Sequence, residues 1–108
     1  MVRITVGGAG QTVISTFETS PGDCATLLEM VQAAYHEFIR HQPGFLDAAL
    51  HVNDARTRLA IYSRWAQRAD FQAMLRSDEM QQRHRAFANH CTRYEPVLYE
   101  VSATFTPA

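Results

Sequence analysis

The chain has 108 residues, of which 46% are hydrophobic, and its 10 Lys and Arg against 11 Asp and Glu leave a formal net charge of -1. This length suits one domain, residues 1–108, with a modest core. The near-neutral balance excludes the basic surface of a nucleic-acid binder and the polybasic run of a membrane-surface protein, and no apolar stretch is long enough to cross a bilayer.

The N-terminus lacks the charged-then-apolar pattern of a signal peptide. The two cysteines, Cys24 and Cys91, each fall on an apolar helical stripe. Such cysteines are typical of buried thiols in a reducing compartment rather than of a disulfide framework or a metal pair. We therefore expect a cytoplasmic protein.

The first half of the chain predicts a strand followed by a helix. Residues 1–10 are a flexible lead or a stub of edge strand, and Gln11–Thr19 alternates as a strand does. A turn at 20–23 ends in Asp23, a suitable helix N-cap, and the helix must stop before Pro43. Its apolar residues recur at helical spacing: Cys24, Leu27, Leu28, Val31, Tyr35 and Phe38.

A hairpin is predicted next. Pro43 and Gly44 reverse the chain, and two β-type runs, Phe45–Val52 and Thr57–Trp65, flank a loop at Asn53–Arg56. If the residues next to the loop pair with each other, one face of the hairpin is apolar: Leu46, Ala48, Leu50, Leu59, Ile61, Ser63 and Trp65. The other face is mixed: Phe45, Asp47, Ala49, His51, Arg58, Ala60, Tyr62 and Arg64. An apolar face needs helices over it, so we expect helices on one side of the sheet only.

Two more helices and a strand complete the chain. Asp70–Leu75 predicts a short helix, a second begins at Ser77 or Asp78 and ends at 89–91, and Pro96–Thr106 alternates as a last strand. The order β-α-β-β-α-β is that of the ferredoxin-like fold of the α+β class, an antiparallel sheet with helices on one face.

This pattern resembles the antibiotic biosynthesis monooxygenase family of dimeric α/β-barrel proteins. The resemblance rests on Pro43-Gly44-Phe45-Leu46 entering the second strand, His51 at its end, Tyr62-Ser63-Arg64-Trp65 ending the third strand, and the helical segment 71–87. It covers residues 11–106. It implies a homodimer in which the outer sheet faces combine into a barrel, with a pocket between sheet and helices in each subunit.

The mixed hairpin face also favours a dimer from the residues themselves. It is too apolar to be left wet and too charged to be core, which suits a self-complementary interface with paired charges. The alternative is a solvated sheet face with scattered aromatic residues. The expected interface residues are Phe45, Asp47, His51, Tyr62 and Arg64.

The resemblance implies an oxygenase that uses no metal, flavin or other cofactor. Its substrate is a small hydrophobic phenol or anthrone of polyketide-type antibiotic biosynthesis, or a quinol, and molecular oxygen is the co-substrate. The substrate's own carbanion passes an electron to oxygen, and recombination leads to a quinone. The sequence is consistent with this, since it has no G-x-G-x-x-G after a strand, no P-loop and no metal-ligand spacing.

Trp65 and His84 are the candidate catalytic residues. Trp65 matches the tryptophan that the family uses to line its pocket; the alternative is a large core residue that closes the end of the sheet. His84 lies on the apolar stripe of the last helix, where a group that titrates near neutrality can act as a base or a donor. The alternative is a core histidine bonded to a backbone carbonyl.

The chain departs from the anthrone oxygenases of the family at two positions. Those proteins have an asparagine four residues before the tryptophan and a tyrosine six residues after it, where this chain has Ile61 and Phe71. Either the reaction differs or other residues hold the enolate. The expected substrate contacts are Tyr35, Leu50, Ile61, Phe71, Met80, Arg85 and Phe87.

Two other functions remain open. Haem-binding or haem-degrading proteins of this fold also use a tryptophan and a helix histidine, but they have an asparagine on the first strand, which Val13–Thr19 lacks. A dimeric module that binds a hydrophobic ligand without catalysis is favoured by Ile61 and Phe71, because an apolar pocket without polar anchors binds well and catalyses poorly.

Overall fold

A computed structural model describes residues 10–108, so the expected lead at 1–10 lies outside the described residues except for Gly10. Its four strands form one antiparallel sheet in the order β2-β3-β1-β4, with the helices on one face. This is the predicted α+β, ferredoxin-like fold. The elements in chain order are β1 (Gln11–Glu18), α1 (Pro21–Glu37), a 3₁₀ turn (Ile39–His41), β2 (Phe45–Val52), β3 (Arg58–Trp65), α2 (Arg68–Arg76), α3 (Asp78–Phe87) and β4 (Arg93–Tyr99).

The boundaries of the first helix and the last strand differ from the prediction. The N-cap of α1 is Ser20 instead of Asp23, because Pro21 takes the first helical position. Strand β4 begins at Arg93 and ends at Tyr99, where it pairs with Thr12 near the start of β1. Within the described residues β4 pairs only with β1. Residues 100–106 continue the alternating pattern but lie beyond the end of β1, and Phe105 is 92% exposed.

The chain reversal before β2 is a type II turn. The Phe45 N–H donates to the Gln42 carbonyl at 3.2 Å, and Gly44 has a φ of 82°. Proline at the second position and a glycine with positive φ at the third are what this turn requires. The prediction that Pro43-Gly44 reverses the chain is confirmed.

A β-bulge corrects the predicted faces of β2. The pairing with β3 shifts between Phe45 and Asp47, so that Leu46 is the extra residue and is 49% exposed. Phe45 therefore pairs with Trp65 and turns toward the helices. Phe45 was predicted to lie on the outer face, as part of the interface, and Leu46 on the inner face. Both predictions are wrong, because one inserted residue reverses the alternation of the strand on its N-terminal side.

The pairing of the hairpin closes two residues later in the chain than predicted. Val52 pairs with Leu59 and Leu50 with Ile61, so each predicted partner is displaced by two residues and the faces are kept. The Asn53 side-chain oxygen accepts from the backbone N–H groups of Thr57 and Arg58, both at 2.9 Å. These two hydrogen bonds hold Thr57 in the loop, so β3 begins at Arg58.

The core lies between the inner sheet face and the helices. Its buried members come from every layer: Val13, Phe17, Leu27, Val31, Leu59, Ile61, Trp65, Phe71, Met74, Met80 and Phe87. In the part of the chain that the structure describes, each helix is too short or too polar to cross a bilayer.

Candidate active site

A small cavity lies between the centre of the sheet and the three helices. Its volume is about 20 Å³, close to the room that one water molecule needs. Most of its lining is apolar, including Val31, Ala34, Ile61, Phe71, Met80 and Phe87. Four polar residues also line it: Ser15, Tyr35, His84 and Tyr94. A planar aromatic ligand needs more room, so its binding requires that the helices or the two tyrosine rings move outward.

His84 faces this cavity, as its place on the apolar stripe of α3 predicts. Its ring packs against those of Phe87 and Tyr94, with centroid distances of 5.3 and 4.5 Å. Burial lowers the pKa of His84 from its ordinary 6.5. The imidazole is therefore neutral at pH 7, and a neutral imidazole can accept a proton.

His84 and Tyr94 also border a second space on the outside of the molecule. This open groove has a volume of about 250 Å³ and includes Cys91 and Arg93 in its lining. Phe17 and Phe87 also line both spaces, so four residues are shared between the internal cavity and the surface groove.

Trp65 is fully buried and lies behind the cavity wall. Its ring packs edge-on against Phe45 and Phe71, with centroid distances of 5.3 and 5.8 Å. Its indole N–H donates to the Ser63 hydroxyl at 3.3 Å. The polar group of Trp65 is therefore engaged by Ser63 in this structure.

Two tyrosines line the cavity, Tyr35 from α1 and Tyr94 from β4. Burial raises the pKa of Tyr35, and the nearby Tyr94 raises it further, while a hydrogen bond with Ser63 opposes the rise. Burial likewise raises the pKa of Tyr94 to about 12, against a hydrogen bond with Ser15. Both hydroxyls therefore keep their protons at neutral pH and remain donors.

The structure gathers most of the predicted site residues at this cavity. Tyr35, Ile61, Phe71, Met80 and Phe87 line it together with His84. Two of the expected substrate contacts do not line it. Leu50 lies in an open groove between α1 and β2, which Tyr35 also borders. Arg85 is exposed, because it lies on the solvent side of α3, and the prediction that it contacts the cavity is wrong.

Ser15, Ser63 and Tyr94 are polar residues of this region that sequence reasoning missed. Ser15 and Ser63 lie at inward-facing positions of β1 and β3, between residues that are apolar. A serine among inward-facing apolar residues is the signal that could have identified them. Tyr94 was missed because the last strand was placed three residues too late.

The outer sheet face carries four of the five predicted interface residues. Arg64 donates to both carboxylate oxygens of Asp47, at 3.0 and 2.9 Å, and this bond raises the pKa of Arg64. The His51 ring lies 3.1 Å from the Ala60 carbonyl oxygen. Tyr62 lies beside Ile14 on the neighbouring strand. Among these residues the charges of Asp47 and Arg64 are thus paired within one chain.

Comparison with known proteins gives a consistent result. The family model described as antibiotic biosynthesis monooxygenase matches residues 11–86. The chain is similar to the tetracenomycin-F1 monooxygenase of Streptomyces glaucescens, with 29% identity over 94 residues that cover 87% of this chain and 83% of the relative.

Solved structures share the fold at lower identity. The ActVA-Orf6 monooxygenase of Streptomyces coelicolor, in complex with nanaomycin D, has a TM-score of 0.76 and 22% identity, covering 92% of this chain and 93% of its own. SnoaB, a cofactor-independent oxygenase of Streptomyces nogalater, has a TM-score of 0.71 and 18% identity, covering 91% and 98%.

Proposed function

Because the chain belongs to the antibiotic biosynthesis monooxygenase family, we propose that it oxidises a small planar phenol, quinol or anthrone with molecular oxygen and without a cofactor. The names of two similar proteins support this: one is a monooxygenase and the other a cofactor-independent oxygenase. The observation that carries the proposal is the neutral His84 at an apolar cavity, which supplies a base where water is scarce.

The proposed reaction begins when His84 takes a proton from the acidic C–H of the substrate. The resulting carbanion passes one electron to oxygen, and the substrate radical and superoxide combine to form a C–O bond. Protonation gives a hydroperoxide, whose O–O bond then breaks with loss of water. In sum, one CH₂ group and one O₂ become one C=O group and one H₂O. The protein supplies the base, the apolar surroundings and donors for the oxyanion.

We infer that the functional unit is a homodimer joined through the outer sheet faces. An apolar row crosses all four strands in register: Ala49, Tyr62, Ile14 and Val97. Ile14 is 36% exposed in the single chain. The bidentate Asp47–Arg64 pair can be covered without leaving an unpaired charge on this face. The free thiols of Cys24 and Cys91 support a reducing compartment, the cytoplasm.

A non-catalytic module that binds a hydrophobic ligand is the second candidate. It is favoured by Ile61 and Phe71, which present only apolar atoms to the cavity. It differs from the oxygenase in one measurable respect, since it binds an aromatic ligand without consuming oxygen.

The test is oxygen uptake by metal-free protein with dithranol, a model anthrone, beside a haem titration followed by the Soret band. We expect uptake above the spontaneous rate without added flavin or metal. Ligand binding without uptake would favour the binding module. A shifted Soret band without uptake would favour a haem protein.

A further inference from the structure

An open groove lies at the edge of the molecule, between α1 and β2. Its volume is about 500 Å³, whereas that of the internal cavity is about 20 Å³. Sites for small organic ligands span roughly 300–1,000 Å³, so the groove has room for a planar polycyclic compound. The groove exists because β2 is an edge strand of the sheet, and Ala48 and Leu50 on its inner face stay partly exposed.

The lining of this groove includes apolar and aromatic side chains. Ala48 and Leu50 contribute from β2, together with the rings of Tyr35 and Phe45. These two rings are 6.3 Å apart between centroids, with an interplanar angle of 57°. Tilted rings of this kind can pack against an aromatic ligand through both edges and faces. Tyr35 also lines the internal cavity, so the two spaces share one side chain.

The groove also carries a positive charge that has no carboxylate partner. Asp47 accepts two hydrogen bonds from Arg64, at 3.0 and 2.9 Å, so its negative charge is already compensated. Arg40 donates from Nε to the His36 carbonyl at 2.8 Å, which holds the guanidinium beside the groove. Among residues 10–108, Arg40 forms no ion pair. Its two terminal NH₂ groups are therefore available to an anionic ligand.

We propose that this groove binds the substrate of the oxidation, and that Arg40 selects planar aromatic compounds that carry a carboxylate. The inference rests on the proposed function and narrows its substrate class. A guanidinium binds a carboxylate through two parallel hydrogen bonds, while the substrate rings pack against Tyr35 and Phe45. Because Tyr35 lines both spaces, outward movement of its ring joins the groove to the cavity, where His84 lies.

The test uses two matched anthraquinones, rhein and danthron. They share one dihydroxy ring system, and only rhein carries a carboxylate. Binding of each is titrated by absorbance at pH 7 and does not depend on oxygen. We expect the wild type to bind rhein about tenfold more tightly than danthron, as one charge-assisted contact allows. Arg40→Gln should lose this preference and keep the affinity for danthron.

Two further variants locate the ligand. Arg76→Gln removes a guanidinium at the exposed last residue of α2, outside the groove lining, and should bind both ligands as the wild type does. Ala48→Phe places a ring in the groove and should weaken the binding of both. Thermal unfolding of each variant checks its fold. Arg40 is exposed, so Arg40→Gln should fold and decides the question even if Ala48→Phe does not.

Turnover gives a second measure of the same preference. Rhein anthrone is dithranol with an added carboxylate. With an active wild type, kcat/KM should be about tenfold higher for rhein anthrone than for dithranol, mainly through a lower KM, and Arg40→Gln should remove the difference. If neither anthrone is oxidised, the oxygenase fails, yet the rhein titration still decides whether the groove binds a carboxylate.

Several outcomes of the titration would overturn the inference. One is failure of the wild type to bind rhein, or equal affinities for rhein and danthron. Another is a preference for rhein that persists in Arg40→Gln. Unchanged binding in a folded Ala48→Phe would place the ligand elsewhere. A rhein affinity that falls as protein concentration rises would show that a second copy of the chain covers the groove.

Discussion

At the scale of single residues, the protonation of His84 controls the proposed chemistry. Its folded pKa is lowered from 6.5 by burial, so protonation is harder in the folded state than in the unfolded state. The neutral base therefore persists below pH 6.5, and activity should fall only as the pH drops through the lowered value. The contribution of neutral His84 to the free energy of unfolding is fully present above pH 6.5 and is lost as the pH falls through the lowered pKa.

We expect the pH profile of dithranol oxidation to lose this acid limb in His84→Ala, together with most of the rate. The measurement is the initial rate of oxygen uptake between about pH 4.5 and 8, with corrections for the spontaneous reaction. His41→Ala, at an exposed position after α1, is the matched control and should keep the wild-type profile. An unchanged profile in His84→Ala would remove His84 from the reaction.

Gly44 is a residue whose backbone requires the absence of a side chain. Its φ is 82°, and a Cβ placed there would overlap the carboxylate of Asp70 in the first turn of α2. Gly44→Ala should lower the free energy of unfolding by about 1–3 kcal/mol, as measured by urea denaturation. Gly22→Ala, in the first turn of α1 where space is open, should be neutral or slightly stabilising. Equal effects at both sites would contradict this explanation.

At the scale of elements, the bulge in β2 decides which aromatic ring joins the core. Phe45 packs against Trp65 and Tyr35, at centroid distances of 5.3 and 6.3 Å, while Leu46 is half exposed. Phe45→Ala should therefore cost about 3 kcal/mol and Leu46→Ala less than about 0.5 kcal/mol of unfolding free energy. A regular strand without the bulge would give the reverse order, so the two variants discriminate between the arrangements.

The elements differ in how far their sequence determines them. Helix α1, the central strands and the place of His84 follow from periodicity, because burial repeats at fixed intervals within one segment. The bulge at Leu46 and the end of β4 at Tyr99 depend on the partner strand, which a local pattern does not contain. For the same reason Tyr94 was missed: its partner across the sheet is Phe17 of β1, which is distant in sequence.

At the scale of the whole molecule, the proposed homodimer depends on the apolar row on the outer sheet face. Ile14→Arg places a charge at the middle of this row, next to Tyr62 and Val97. We expect the dimer to dissociate at micromolar concentration, as measured by light scattering after size exclusion, while thermal unfolding shows a folded chain. Leu46→Arg makes the same change at a half-exposed position outside the row and should keep the dimer. A wild-type protein that is monomeric would contradict the dimer directly.

The role of the cavity as an oxidation site depends on whether the protein alone accelerates the reaction of an enolisable substrate with oxygen. The measurement to make is the initial rate of oxygen consumption by metal-free wild-type protein with dithranol, beside His84→Ala at equal concentration. We expect a rate that rises with protein concentration, consumes one O₂ for each quinone formed, and falls markedly in His84→Ala. A wild-type rate equal to the spontaneous one, for protein shown to bind the substrate, would contradict the oxygenase and leave a ligand-binding module.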